Sequence, residues 1–256
     1  MIMEIAAEKI LENRNFIFDT IEKYISSPRK EQLLEFYNEY DERLTMLPAS
    51  PKKLWHNSFE GGYFDHVRRV IEGALKMHSI WGEMGVDTST YTLEELMFSA
   101  INHDLGKMGN EEHVSYIPND DKWRMEKLGE NYKYNIKIPF SGVPDRSLYL
   151  LQAFGIKCTF NETLAIRLHD GLWDEANKKY LITYLPEQKP RTALPFILHQ
   201  ADLMASRIEF EIEWAFEHSS ESKTKKPFKL KNNIPTKQKV LSSLKNKNLV
   251  NMIENL

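Results

Sequence analysis

Apolar residues recur at helical spacing through most of the chain and alternate in only two short stretches. Ile5, Ile10, Phe16, Ile17, Ile21 and Ile25 keep one face apolar until Ser27-Pro28 breaks the run. Leu33, Leu34, Phe36 and Tyr37 then begin another, so residues 4–46 predict two amphipathic helices. Pro48-Ala49-Ser50-Pro51 reads as a loop separating this hairpin from the rest. The next helix starts after Gly61-Gly62, with Val70, Ala74, Met77 and Trp81 as its stripe and His66 on the same face. Thr92 and Glu95 form a capping-box pattern before Leu93, Leu96, Met97, Ala100 and Ile101, which turn inward. Asp104 continues that stripe with His103 beside it, and Gly106 is read as the helix exit. HVSYIP and YKYNIKIP alternate as a small β-ribbon would. Thr159 and Glu162 make a second capping box ahead of Leu164, Ala165, Leu168 and His169. Thr192 and Pro195 open a long last helix with Leu194, Ile197, Ala201, Ala205, Ile208 and Ile212 inward. On it, His199 and Asp202 stand at i, i+3 and can reach one point. The pattern predicts an all-α fold: a helical extension over 1–50, a main domain over 51–218 and a tail over 219–256.

Composition changes this picture little. Hydrophobic content of 41% and charged content of 28% are ordinary for a soluble globular chain. The net charge of −3 is unevenly spread: residues 219–256 hold nine Lys and two Glu, a net +7, leaving −10 for residues 1–218. Such a tail reads as a solvated end or an electrostatic contact for nucleic acid. One cysteine, Cys158, excludes an internal disulfide framework and a cysteine zinc knuckle, and an inert, partly buried thiol is expected there. No run approaches the ~20 apolar residues of a membrane span. The chain reads as cytoplasmic, reduced and unconnected with membranes, and its oligomeric state stays open.

The chemistry lies in four short segments, GGYFDHVRRV, INHDLGK, IRLHDG and LHQADLMAS, which contribute His66, His103-Asp104, His169, and His199 with Asp202. One histidine on an apolar helix face is usually a satisfied core residue. Several, joined by two carboxylates, call for a compensating cation or hydrogen-bond network, because each alone is costly to bury. Their N/O donor set without sulfur suits Mn, Fe, Zn or Ni. Lys107 follows the ligands and reads either as a phosphate contact or as a salt bridge to a ligand carboxylate. Asp170 reads as a general acid/base or as an orienter of His169, and Arg146 as a phosphate contact or an exposed cation. Tyr116, Tyr132 and Tyr134 can stack on a base or pin the irregular region 108–145. His56, His78, His113 and His218 read as surface or packing residues. Phosphate-binding glycine loops, dinucleotide fingerprints and Ser/His/Asp elbows are absent from the sequence.

In the order His66, His103-Asp104, Asp202, the chain resembles the HD-domain superfamily of metal-dependent phosphohydrolases. The phrases GGYFDH, NHDLGK, LHDG and LHQADLMAS are most similar to HD-domain 3′-to-5′ exoribonucleases and HD-GYP phosphodiesterases, over roughly residues 56–218. Asp170 stands where the exoribonuclease branch has a second consecutive histidine, no nucleic-acid-binding β-barrel precedes the region, and the Gly-Tyr-Pro hallmark is missing. The resemblance implies an HD-type helical bundle and one ion held by His66, His103, Asp104 and Asp202. It also implies a second ion held by His169 and His199, with Asp104 bridging. The reaction it implies is hydrolysis of a nucleotide or related phosphodiester, with catalytic parts for Asp104, Lys107 and Asp170. The same ligand arrangement resembles myo-inositol oxygenase and phosphonate-cleaving oxygenases of the HD type, in which a di-iron pair activates dioxygen. Phrase similarity and Lys107 favour hydrolysis over this alternative and over a non-catalytic binding module.

Overall fold

The computed structural model of the chain describes residues 4–218. The lysine-rich segment 219–256 lies outside the described residues. Among those described, α-helices carry the architecture, and the β-ribbon is present as a single two-stranded antiparallel pair. None of the described helices is long and apolar enough to cross a membrane.

The N-terminal region forms three helices where the sequence suggested two. α1 (Ala7–Tyr24) ends at the expected break, and the second run divides at Tyr40 into α2 (Arg29–Glu39) and α3 (Asp41–Met46). Arg14 of α1 holds Asp41 in a two-pronged grip, Nε and Nη2 each at 2.7 Å, which draws the first turn of α3 toward α1. α1 packs on α4 (Gly62–Glu83) and α5 (Leu93–Asn102), and Ile17, Ile21, Phe36 and Tyr37 share one apolar core with Phe64, Leu96 and Ile101.

The Pro48–Pro51 segment is not an exposed linker. Leu47, Ala49 and Ser50 are buried because their backbone groups find partners: Tyr63 N–H donates to Leu47 O at 2.9 Å and Ala49 N–H to Asn57 O at 3.1 Å. The chain then threads a long loop into α4. Both capping boxes form, Thr92 with Glu95 on α5 and Thr159 with Glu162 on α8 (Phe160–Leu168).

The exit from α5 differs from expectation. His103-Asp104 turn into a short 3₁₀ segment, Leu105–Met108, and the chain leaves at Gly109, whose φ is 102°. Gly106 has a different task. A Cβ there would lie 2.3 Å from the Val143 carbonyl, so glycine is what lets α7 (Val143–Ala153) press against the turn that follows His103-Asp104. Ser147 of α7 seals the contact by accepting the Gly106 N–H at 2.8 Å. Between them, β1 (Tyr116–Pro118) and β2 (Tyr132–Tyr134) flank a short helix, α6 (Lys122–Leu128), with Tyr116 opposite Tyr134.

After α9 (Lys178–Leu181) the chain enters α10 (Leu194–His218), and here the predicted inner face fails in its second half. Leu194, Ile197, Ala201 and Ala205 are buried, but Ile208 and Ile212 are 40% and 42% exposed. Steps of four from Ala201 and Ala205 put Glu209 and Glu213 inside instead. Both have acceptor work there, described below.

Arg29 ties the N-terminal helices to the core. It pairs with Glu94 of α5 at 2.5 Å and with the fully buried Glu162 of α8 at 2.7 Å, and stacks over Phe98 at 4.2 Å. Removing the guanidinium would strand Glu162 without its cation. Arg29→Met should therefore cost about 3–5 kcal/mol in urea unfolding, and Glu94→Gln clearly less. Equal, small losses from both would show that the pair is solvated.

Candidate metal centre

Four helices converge on one point. α4 supplies His66, the turn after α5 supplies His103 and Asp104, the end of α8 supplies His169, and α10 supplies Asp202. His66, His103 and His169 are essentially without solvent exposure.

Each ring is held through the nitrogen that faces away from the cluster. His103 Nδ1 lies 2.9 Å from Ala100 O, and His169 Nδ1 lies 2.7 Å from Ile166 O. A carbonyl only accepts, so both Nδ1 atoms carry a proton, and Nε2 is the nitrogen each ring leaves facing the cluster, where losing its own proton would expose a lone pair. His66 Nδ1 sits 3.0 and 3.2 Å from the two oxygens of Glu209, which also accepts from Arg69 Nε at 3.1 Å. This carboxylate–imidazole arrangement is what orients and strengthens a ligating histidine. Glu209 was not among the residues singled out from the sequence.

The facing atoms suit a shared cation. His66 Nε2 is 3.4 Å from His103 Nε2, 3.4 Å from Asp104 Oδ2 and 3.2 Å from Asp202 Oδ1. His103 Nε2 lies 3.4 Å from Asp104 Oδ2 and 4.0 Å from Asp202 Oδ1. Donors at ~2.1 Å from a common ion stand about 3.0–3.5 Å apart when adjacent and up to about 4.2 Å when opposite. The four shorter separations therefore fit adjacent ligands of one ion, and the 4.0 Å pair fits ligands on nearly opposite sides. On the other side of the same carboxylate, Asp104 Oδ1 faces His169 Nε2 at 3.5 Å, and Asp170 Oδ1 lies 3.7 Å from that nitrogen. Asp104 therefore presents one oxygen to each histidine set.

The electrostatics point the same way. Burial pulls His66 down, yet Glu209, Asp104 and Asp202 outweigh it and raise it well above the usual histidine value. Burial also opposes protonation of His169, which Asp104 and Asp170 nevertheless push up to about 9. Burial would raise Asp104, but Lys107 and His103 hold it well below the usual carboxylate range. The buried Asp104 and the partly buried Asp202 thus demand positive charge among these nitrogens.

His199 is the expected ligand that stands apart. Its Nδ1 donates to His169 O at 2.7 Å and its ring lies on Gly171, where a Cβ would come within 2.2 Å of it. It lines the cavity, but it joins none of the described groups whose donor atoms approach within 4.8 Å. Asp170 takes a place beside His169 and Asp202 instead. It does not orient His169, whose Nδ1 is already bound by Ile166. His56, read as a packing residue, belongs to the site: it groups with His66 and Asp104, its ring centroid is 4.8 Å from that of His66, and burial holds its pKa well below the usual value. No periodicity marks His56, because it sits in a loop. Lys107 is 8% exposed and lies 2.5 Å from Asp104 Oδ2, so the salt-bridge alternative is realised. Arg146 bonds to Gly106 O, Ser115 Oγ and Pro139 O, pinning the irregular region rather than facing solvent. Cys158 is inert, its thiol pushed up to about 12 by burial.

The cluster floors a cavity of about 1190 Å³. Trp55, Tyr116, Tyr134, Phe140 and Trp173 line it, and all but Tyr116 are at least half exposed. No family model matches this chain, and no curated protein or solved structure does either.

Glu209→Gln should weaken divalent-ion binding about 10- to 100-fold with the fold retained, as measured by competition with a fluorescent chelator. Unchanged affinity would remove Glu209 from the site. For pH, His169 is raised in the folded chain, so its contribution to stability is complete below about pH 6.5 and fades as pH climbs toward 9. Melting in the presence of a chelator should therefore fall over that interval, while ion binding tightens as protons leave Nε2. A chelated protein that gains stability from pH 6.5 to 9 would contradict this assignment.

Proposed function

We propose that the chain is a metal-dependent phosphohydrolase that cleaves a phosphoester of a nucleotide or related phosphodiester with an activated water. One observation carries the reading: Asp104 turns one oxygen to His66 and His103 and the other to His169, with the Lys107 ammonium against it at the floor of the cavity. His66, His103, Asp104 and Asp202 would hold one divalent ion. His169 and Asp170, with Asp104 between the two sets, would hold a second. The chemistry such ions supply is polarisation of a phosphoryl oxygen and a lowered pKa for an attacking water.

The rest falls to the chain. Lys107 sets a positive charge outside the ligand set, where it meets charge developing on a phosphoryl group. Asp170 is 41% exposed at its side chain, so an oxygen not taken by the ion would meet the cavity and could accept a hydrogen bond from an incoming water. Trp55, Tyr134 and Trp173 offer aromatic faces above the floor, which suits a substrate with a base attached to its phosphate. The resemblance to HD-domain phosphohydrolases supports the same reading.

Protein loaded with Mn²⁺ should hydrolyse at least one member of a panel of nucleoside phosphates and dinucleotides without oxygen. Lys107→Ala should lower kcat/KM about 100-fold with its ions in place, and Trp173→Ala should raise KM about 10-fold. Oxygen-dependent turnover of a polyol or phosphonate, with no hydrolysis across the panel, would replace this reading with the oxygenase one.

A further inference from the structure

The loop between α3 and α4 is built in a way that packing alone does not require. Leu54 and Asn57 both have positive φ, 60° and 42°; asparagine tolerates this region, but a bulky residue such as leucine is an outlier in it. Such strain persists where the surroundings over-determine it, and it collects at functional sites. Here the over-determination is explicit. Glu213, 5% exposed on the inner face of α10, accepts the Leu54 N–H at 2.9 Å and the Ser58 N–H at 3.2 Å, one with each carboxylate oxygen. Asn57 is fastened separately, its Nδ2 donating to Asp65 Oδ2 at 3.0 Å. Asn131 donates to Ser58 O at 2.9 Å. The clamps bracket two residues, Trp55 and His56, and of these His56 carries a group that can accept from Lys107.

What the clamped loop delivers is an acceptor. His56 Nε2 lies 3.0 Å from Lys107 Nζ. An ammonium only donates, so this nitrogen presents its lone pair, and His56 receives a hydrogen bond from Lys107. Lys107 Nζ is thus held from two sides, by Asp104 Oδ2 and by His56 Nε2. Two of its three donors are engaged, and the third remains for a ligand in the cavity that both residues line. A lysine side chain has four rotatable carbons and ordinarily wanders; one restrained at both contacts presents its charge at a fixed point.

We infer that His56 is a positioning residue, which fixes the Lys107 ammonium for a phosphoryl oxygen of the ligand, and that Glu213 holds the strained loop that brings it there. The inference rests on the reading above only in taking Lys107 as the phosphate contact. It predicts that His56 acts through Lys107 and through no other group.

The test uses Mn²⁺-loaded full-length protein and inorganic phosphate as the probe, followed by calorimetry, with the bound Mn²⁺ measured in every variant. His56→Phe keeps the ring and removes the acceptor, and His56→Gln restores an acceptor at similar reach. His56→Phe should weaken phosphate about 10-fold, as Lys107→Met does, from loss of one charge-assisted contact. His56→Gln should recover most of that loss, and the double variant should bind no worse than Lys107→Met alone. A crystal structure of His56→Phe should show Nζ displaced from its place beside Asp104. Losses that multiply in the double variant, an unmoved Nζ, or unchanged phosphate affinity in His56→Phe would overturn the inference. So would loss of Mn²⁺ from His56→Phe, which would make His56 a ligand. Phosphate binding needs no turnover, so the two readings fail separately. The expected pattern without nucleotide hydrolysis would leave His56 in its role and remove the hydrolase reading; hydrolysis indifferent to His56 would do the reverse.

Discussion

Three imidazoles point their Nε2 atoms at one another's neighbourhood because each has its Nδ1 proton committed elsewhere: His66 to Glu209, His103 to Ala100 O and His169 to Ile166 O. Without those commitments a buried ring can flip, and its lone pair faces whichever donor is nearest. With them, lone pairs and carboxylates are gathered in a volume that water hardly reaches, a costly arrangement unless positive charge fills it. In the chain as it stands, protons and Lys107 supply that charge, which is why His66 and His169 are raised and Asp104 is lowered. A divalent ion would meet the same demand with better geometry.

Much of the surrounding structure serves this constraint. The backbone carbonyls that hold His103 and His169 belong to the last turns of α5 and α8, and both helices are started by capping boxes that fix where those turns fall. Arg29 links the two boxed helices through Glu94 and Glu162, so the N-terminal helices help set the spacing of the turns that carry His103, Asp104 and His169. α10 gives up two inner positions to Glu209 and Glu213, which hold His66 and the His56 loop respectively. Burying carboxylates on a helix face costs apolar contact, and the exposed Ile208 and Ile212 are its visible consequence.

The helices and the turns that bring His103, Asp104 and His169 together were legible because helical period, capping boxes and the His-Asp pair are local signals. The inner face of α10 was misread for a physical reason: hydrophobicity marks Ile208 and Ile212, whereas the residues turned inward are chosen by acceptors needed on α4 and in the preceding loop. His56 was invisible for a related reason. Its position depends on left-handed backbone at Leu54, which a leucine does not announce, and on a carboxylate more than 150 positions away in the chain. His199 carried the right residue type at the right helical spacing, but a hydrogen bond to His169 O and the space left by Gly171 draw it against the cavity wall. Spacing on one helix says which residues share a face, and partners on other helices decide where the side chain ends.

The central claim is that the buried histidine–aspartate cluster is a cation site, and anomalous diffraction tests it most directly. Crystals of protein purified without chelator and equilibrated with Mn²⁺ should show an anomalous peak about 2.0–2.3 Å from His66 Nε2, His103 Nε2 and the Asp104 and Asp202 carboxylates. A peak confined to surface carboxylates, or an empty cluster at saturating Mn²⁺, would contradict the account.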